Sequence, residues 1–485
     1  MLKKFFLLGA LIVCALTTFS QDKKAIKYAE TITQKDLKAH LSILASDSLE
    51  GRETGMKGQK MAAAYIANYF ESIGLEAPVE TTEGKSYMQS FDLQMGTYSQ
   101  VYLQKGDERK ENFADFLYYS SNETYGEEYI EVVFAGYGDS ATLAGLDIEG
   151  KFVAFVNKEW SNFRNNLAAM KKAKAKGYFL ILEDQFRFDF VMKRYGGYQK
   201  GGKMKFEFDQ KGSKILLVGS EMTEWIFDKP FNELKNSGVG TSAEILINAD
   251  MLIKSVSSEN VMGFLRGSKY PEEVLVISAH YDHIGIIDGE INNGADDDGS
   301  GTSTVLELAE AFATAAKNGY RPKRSILFLT VSGEEKGLLG SEYYTENPIF
   351  PLKNTVTNLN IDMIGRVDDK HLKNPDYIYL IGSDKLSAEL HELSEIANET
   401  YTNLELDYTY NADDDPNRYY YRSDHYNFAK KGIPVIFYFN GTHADYHKPT
   451  DTIEKINFDK MSKIGKLVFY TSWEIANRKE RIKVD

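Results

Sequence analysis

From residue 251 to the C-terminus the chain repeats one pattern: an apolar run, a polar loop, then an amphipathic run. The apolar runs fall at 272–280, 325–333, 356–365, 377–383 and 433–439, and the clearest amphipathic run, 301–317, follows a Gly-Ser-Gly start. Short apolar runs bounded by turn residues predict strands. Their alternation with helices predicts an α/β fold on a mixed, largely parallel sheet flanked by helices. Such a sheet binds ligands beyond the carboxyl ends of its strands. The residues just past each run are therefore the ones to read for chemistry.

Past the first run stand His280, Asp282 and His283, and before the helix come Asp296, Asp297 and Asp298. Glu334 and Glu335 follow the next run, Asp362 ends "LNID", and His447 lies beyond the last in "ADYHKPTD". Singly, each has an ordinary explanation; the three aspartates, for example, are good caps for the helix that follows. Jointly they bring metal-ligand chemistry to one edge of the sheet. Of eight histidines, five lie in these loops (His280, His283, His425, His443 and His447). The only cysteine, Cys14, is in the N-terminal segment, so a metal here must use His, Asp and Glu. There is no His-Glu-x-x-His, which excludes the thermolysin arrangement.

The 485 residues are about three times a common domain size, so a second unit is expected. Residues 112–250 read as that unit, an inserted β-rich domain of short runs split by glycines. Residues 21–111 read as the N-terminal part of the main domain and 251–485 as its catalytic part. Within 33–77, Leu37, Leu41 and Leu44 recur at helical spacing, then Gly51 to Gly55 interrupt. A second helix follows with Met61, Tyr65, Ile66, Tyr69 and Ile73 on one face. Residues 1–20 read as a signal peptide: Lys3 and Lys4, an apolar stretch from Phe5, and small Thr18 and Ser20 before Gln21. A secreted or periplasmic protein is expected, with a lipoprotein at Cys14 disfavoured by the apolar residues around it. No apolar run reaches the roughly 20 residues a membrane-spanning helix needs. A net charge of −14 argues against a nucleic-acid partner.

The ordered series "SAHYDH", "NNGADDDGSG", "SGEEKGLLGS", "NIDMIG", "YRSDHYNF" and "YHKPTDT" resembles the co-catalytic zinc exopeptidase family of bacterial leucyl aminopeptidase and glutamate carboxypeptidase. The resemblance is strong over 260–460 and looser in the N-terminal segment, and 112–250 resembles the protease-associated domain some members carry. It implies two Zn²⁺ bridged by Asp296, one completed by His280 and Asp362 and the other by Glu335 and His447. It implies Glu334 as the general base, Asp282 as the residue that orients His280, and Tyr420 as an oxyanion donor. His283, His425 and His443 are read as supporting loop residues. The implied activity is hydrolysis of N-terminal residues from peptides by a two-metal hydroxide mechanism. The alternatives are a carboxypeptidase gripping substrate through Arg418 or Arg422, a glutaminyl cyclase, or an inactive binding protein on the same fold.

Overall fold

The apolar runs at 272–280 and 325–333 lie side by side near the middle of a sheet, buried on both faces. The computed structural model describes residues 21–119, 126–158, 160–200, 202–208 and 214–485; the expected signal segment 1–20 lies outside the described residues. The elements that position the site are, in chain order, α1 (Gln34–Leu44), α2 (Lys57–Ser72), β1 (Met88–Lys105), β2 (Ser242–Leu265), β3 (Tyr270–His280), α3 (Gly301–Lys317), β4 (Arg324–Val331), β5 (Thr355–Ile361), β6 (Tyr377–Ile381), β7 (Val435–Phe439) and α4 (Phe458–Asn477).

The strand order is β6–β7–β5–β3–β4–β2. β3 runs parallel to both β4 and β5, and β5 parallel to β7; β6 is antiparallel to β7, and β2 to β4. Every residue of β4 and β5 is buried, the composition expected of parallel strands covered on both sides. The helices α1 to α4 pack one face of this sheet into a single apolar core that includes Leu41, Ile66, Leu308, Phe312 and Phe469. On α2 the buried stripe is Ala62, Ala63, Ile66, Ala67 and Phe70, whereas Met61, expected on that face, is 40% exposed. Among the described residues no helix is long and apolar enough to cross a membrane.

A second apolar core gathers Phe134, Phe152, Phe179, Leu216 and Ile245. It is built on the parallel strands Glu127–Phe134, Phe152–Val156, Gly177–Ile181 and Lys214–Val218. Helices Trp160–Lys172, Gln185–Lys200, Ser220–Phe227 and Phe231–Ser237 accompany them, so among its described residues this region holds more helix than strand, in contrast to the β-rich texture read from its sequence. Glycine-bounded runs flag its strands and the apolar spacing of Trp160–Lys172 is as clear as that of α2, whereas Gln185–Lys200 carries only weak apolar periodicity. The two cores share β1 and β2, which pair antiparallel from Leu246 opposite Gln104 to Val261 opposite Met88. β2 runs unbroken through residue 250 and joins the sheet of the second core to that of the first.

Candidate metal centre

The centre lies where β3, β4, β5 and the loop after β7 release their chains on one edge of the sheet. β3 ends on His280, and the Asp282 carboxylate just beyond is held by the Thr54 hydroxyl at 2.7 Å and the Glu334 backbone N–H at 3.3 Å. His280 Nδ1 lies 3.1 Å from the Asp282 carbonyl and 3.6 Å from its carboxylate, so Asp282 orients the ring mainly through its backbone. Arg52, fully buried, bonds the carbonyls of Leu44, Tyr281, Asn293 and Gly294. It thereby clamps the N-terminal segment onto both the His280 loop and the aspartate loop.

The three consecutive aspartates turn to three different places. Asp298 caps α3 through the Gly301 N–H and also accepts from the N–H groups of His280 and Met363. Any side chain at Gly301 would collide with the Asp298 carboxylate and the Ile361 carbonyl, which is why a glycine opens this helix. Asp296 is absorbed from the other side: its carboxylate accepts from the Gly365 N–H at 2.6 Å, Ser300 Oγ at 3.1 Å and Asn440 Nδ2 at 3.2 Å, and faces His443 Nε2 at 3.2 Å. Of the three, only Asp297 faces His280, His283 and His447. Its Oδ1 is 3.3 Å from His280 Nε2 and its Oδ2 is 3.1 Å from His447 Nε2. The resemblance gives the place between the two histidines to Asp296, but here Asp297 occupies it. Residue order alone does not set which side chain of a tight turn points inward.

Around Asp297 two sets of donors form. His280 Nε2 lies 3.6 Å from Asp362, whose other oxygen is fixed by Ser423 Oγ at 2.6 Å. On the far side His447 Nε2 lies 3.2 Å from Glu335, and His283 Nδ1 approaches Glu335 at 2.9 Å and Asp297 at 3.8 Å. The atoms of His280, Asp297 and Asp362, and those of His283, Asp297 and Glu335, are each close enough to hold one ion. His283, read from the sequence as a supporting residue, thus stands among the candidate ligands. His280 Nε2 and His283 Nδ1, the nitrogens turned toward these carboxylates, are buried without a hydrogen bond, as expected of nitrogens shaped for a metal. Imidazole and carboxylate donors in two sets sharing one carboxylate fit a pair of zinc ions.

The electrostatics follow from this crowding. Burial lifts the Glu334 carboxyl well above the ordinary carboxylate range, reinforced by Glu335, Asp362 and Asp424 against the opposing His280. Burial disfavours a charged His447, but Glu335 and Asp297 outweigh it and raise its pKa to about 10. Burial likewise opposes, and His447 and His283 overcome, the charge on Glu335, which is held down to about 2. Beneath the site Asp424 is fully buried and pushed up to about 7 by burial, with Asp282 and Asp362 adding to it. Protons on the imidazoles and divalent cations are alternative ways to balance these carboxylates.

A cavity opens beside the centre, bounded by Asp297, Glu334 and Asp362 and by the apolar faces of Met363, Tyr419, Phe437 and Phe439. Tyr420 is not among its lining residues; its half-buried ring packs against His425, Tyr421 and Tyr426 as part of an aromatic wall. Tyr446 lines the cavity instead, stacked on His447 at 3.9 Å between ring centres. Burial, with Asp297, Glu335 and Glu334 nearby, keeps its hydroxyl protonated. The sequence signal for Tyr446 was its place directly before His447. Asp451 was likewise overlooked: its Oδ2 accepts the N–H groups of Asp296 and Asp297 at 3.0 and 3.2 Å, tying the His447 loop to the Asp297 loop.

Residues 260–472 match the family described as Peptidase family M28. A probable zinc metalloprotease of Pyrenophora tritici-repentis (strain Pt-1C-BFP) is 31% identical over 264 residues, covering 46% of this chain and 52% of that protein. Aminopeptidase YwaD of Bacillus subtilis (strain 168) is 28% identical over 236 residues, 47% of each chain. The chain spans about half the length of the curated relatives it matches. Among solved structures, an aminopeptidase from Aneurinibacillus sp. strain AM-1 superposes with a TM-score of 0.64 at 19% identity, over 95% of this chain and 98% of that one. That likeness is one of fold.

Proposed function

Residues 260–472 being those of peptidase family M28, we propose that this chain is a zinc-dependent aminopeptidase that removes N-terminal residues from peptides and is exported by residues 1–20 to a secreted or periplasmic location. The observation that carries the reading is the Asp297 carboxylate standing between two histidine–carboxylate sets, with Glu334 alongside. His280 and Asp362 would hold one ion, His447 and Glu335 the other, and Asp297 both. The relatives named as aminopeptidases and zinc metalloproteases support the choice of metal and of reaction.

Two ions bound there supply Lewis acidity toward the scissile carbonyl and make a water acidic near neutral pH. Glu334 then takes the water proton on Oε2 and returns it to the leaving amine, roles served by a carboxyl whose pKa is raised by burial. Asp282 fixes the His280 ring and is itself fixed by Thr54, so the ligand nitrogen keeps its aim. The protonated hydroxyl of Tyr446 donates toward the oxygen on which charge develops. Phe437, Phe439 and Met363 exclude water from the cavity and receive an apolar part of the substrate. Residues 112–250, read as a protease-associated-like insertion, limit access to short peptides, a role supported by the approach of helix Gln185–Lys200 to strand Ile286–Ile287.

The test is hydrolysis of aminoacyl-nitroanilides, N-blocked dipeptides and an N-terminal Gln peptide, with and without chelator and added zinc. Chelator-sensitive release from free-amine substrates, lost in Glu334→Gln, is the expected result. Cleavage confined to the N-blocked peptides would overturn it in favour of a carboxypeptidase.

A further inference from the structure

Arg422 stands apart from the other arginines of the catalytic region. Arg266, Arg324, Arg366 and Arg478 each hold a carboxylate, and Arg321 and Arg481 hold backbone carbonyls. Among the described residues only Arg418 and Arg422 from this region have a guanidinium with no ion pair or hydrogen bond, each lying 4.8 Å over a tyrosine ring, Tyr421 and Tyr419 respectively. Of these two, Arg422 lines the cavity beside the metal centre, and its charge is felt at the Tyr446 hydroxyl.

The turn that carries Arg422 is fixed. Asp415 is buried and accepts the Tyr419 N–H at 2.9 Å. Tyr419 itself is buried against Tyr410 and Phe439, so the ring beneath the guanidinium is held in place. A planar cation supported on a fixed aromatic face keeps its N–H fork free for a ligand. The rest of the wall is apolar, carries the hydroxyls of Thr442 and Tyr446, or is faced by the carboxylates Asp297, Glu334 and Asp362, so Arg422 is the one cationic side chain among its lining residues.

Resting on the aminopeptidase reading above, we propose that Arg422 is a specificity-determining residue that binds a substrate carboxylate, so that the enzyme favours peptides presenting one at the cavity mouth. That group is either the side chain of an acidic N-terminal residue or the terminal carboxylate of a very short peptide. The guanidinium pairs with either in the same bidentate way.

The experiment compares kcat/KM for two matched pairs, Glu- against Gln-nitroanilide and Leu-Gly against Leu-Gly-amide, in wild type, Arg422→Gln and Arg422→Lys. Calorimetric binding of free Glu against Gln to the zinc-loaded wild type and variants gives a readout that needs no turnover. The expected result is a preference of about tenfold for the carboxylate member of one pair, abolished in Arg422→Gln and partly restored in Arg422→Lys. A preference within the first pair assigns the ligand to the side chain, and within the second to the terminus. Equal use of both members by wild type, or equal loss for both in Arg422→Gln, overturns the proposal. No hydrolysis of any of the four substrates by zinc-loaded wild type would instead bring down the aminopeptidase reading and this inference with it.

Discussion

Two clusters of buried histidine and carboxylate lie at the edges of the same sheet, and they are built to opposite purposes. Beyond β6, His371 sits between Asp368 at 2.7 Å and Asp407 at 3.2 Å, its ring stacked on Tyr377. Tyr379 donates to Asp368 and Lys370 pairs with Asp407, so every carboxylate there has a proton donor or a cation from the protein. At the other cluster, Asp297 and Asp362 share His280, and among the described residues neither pairs with a lysine or arginine. Buried charge is stable when paired within the chain. A cluster that the chain leaves short of positive charge is one that depends on a cation from outside.

The sharpest way to break this contrast is Asp297→Ala, which removes the group both halves share. It is expected to abolish peptidase activity and weaken zinc uptake by about 100-fold or more, measured by metal analysis after dialysis. Retention of both metals would show that Asp297 is not the bridge. Next in size, Glu334→Gln is expected to lower kcat by about 10²–10⁴-fold while zinc content stays at the wild-type value. Loss of metal in that variant would make Glu334 a ligand.

Two smaller effects sharpen the comparison. Asp296→Asn keeps hydrogen-bond capacity while removing charge beside His443, so both metals should still bind, about 10–100-fold more weakly. An effect as large as that of Asp297→Ala would return the bridge to Asp296. His371→Gln should cost about 1–3 kcal/mol of unfolding free energy, because it strands Asp368 and Asp407. That loss should be the same with and without zinc, whereas saturating zinc should stabilise wild type by about 4 kcal/mol at a thousandfold excess over Kd. A zinc-dependent loss in His371→Gln would mean the two clusters are coupled.

Much of the catalytic half can be read along the chain. Fully buried parallel strands such as β4 and β5 are continuous apolar runs, and the polar residues that end them stand out against that background. His280, Glu335, Asp362 and His447 are visible for this reason, as is Glu334. Tyr446 and Tyr420 are not distinguishable by such means, since both lie in aromatic-rich loops and only one ring turns into the cavity. The long strands β1 and β2 are equally hard to see. Their alternation is interrupted where they pass from one core to the other, and their burial changes face with the partner.

What the amino-acid sequence alone determined is the kind of chemistry. It supplies no cysteine outside the N-terminal segment, five histidines in the loops of one domain, and carboxylates at successive strand ends, a set that suits zinc and related divalent ions. The tertiary structure decided which atoms meet. The backbone turn at residues 296–298 sends three identical side chains in three directions, one to cap α3, one into a bed of N–H donors, and one to the histidines. The Gly301 N–H of α3 is local, but the other donors arrive from the loops after β5 and β7, far away in sequence.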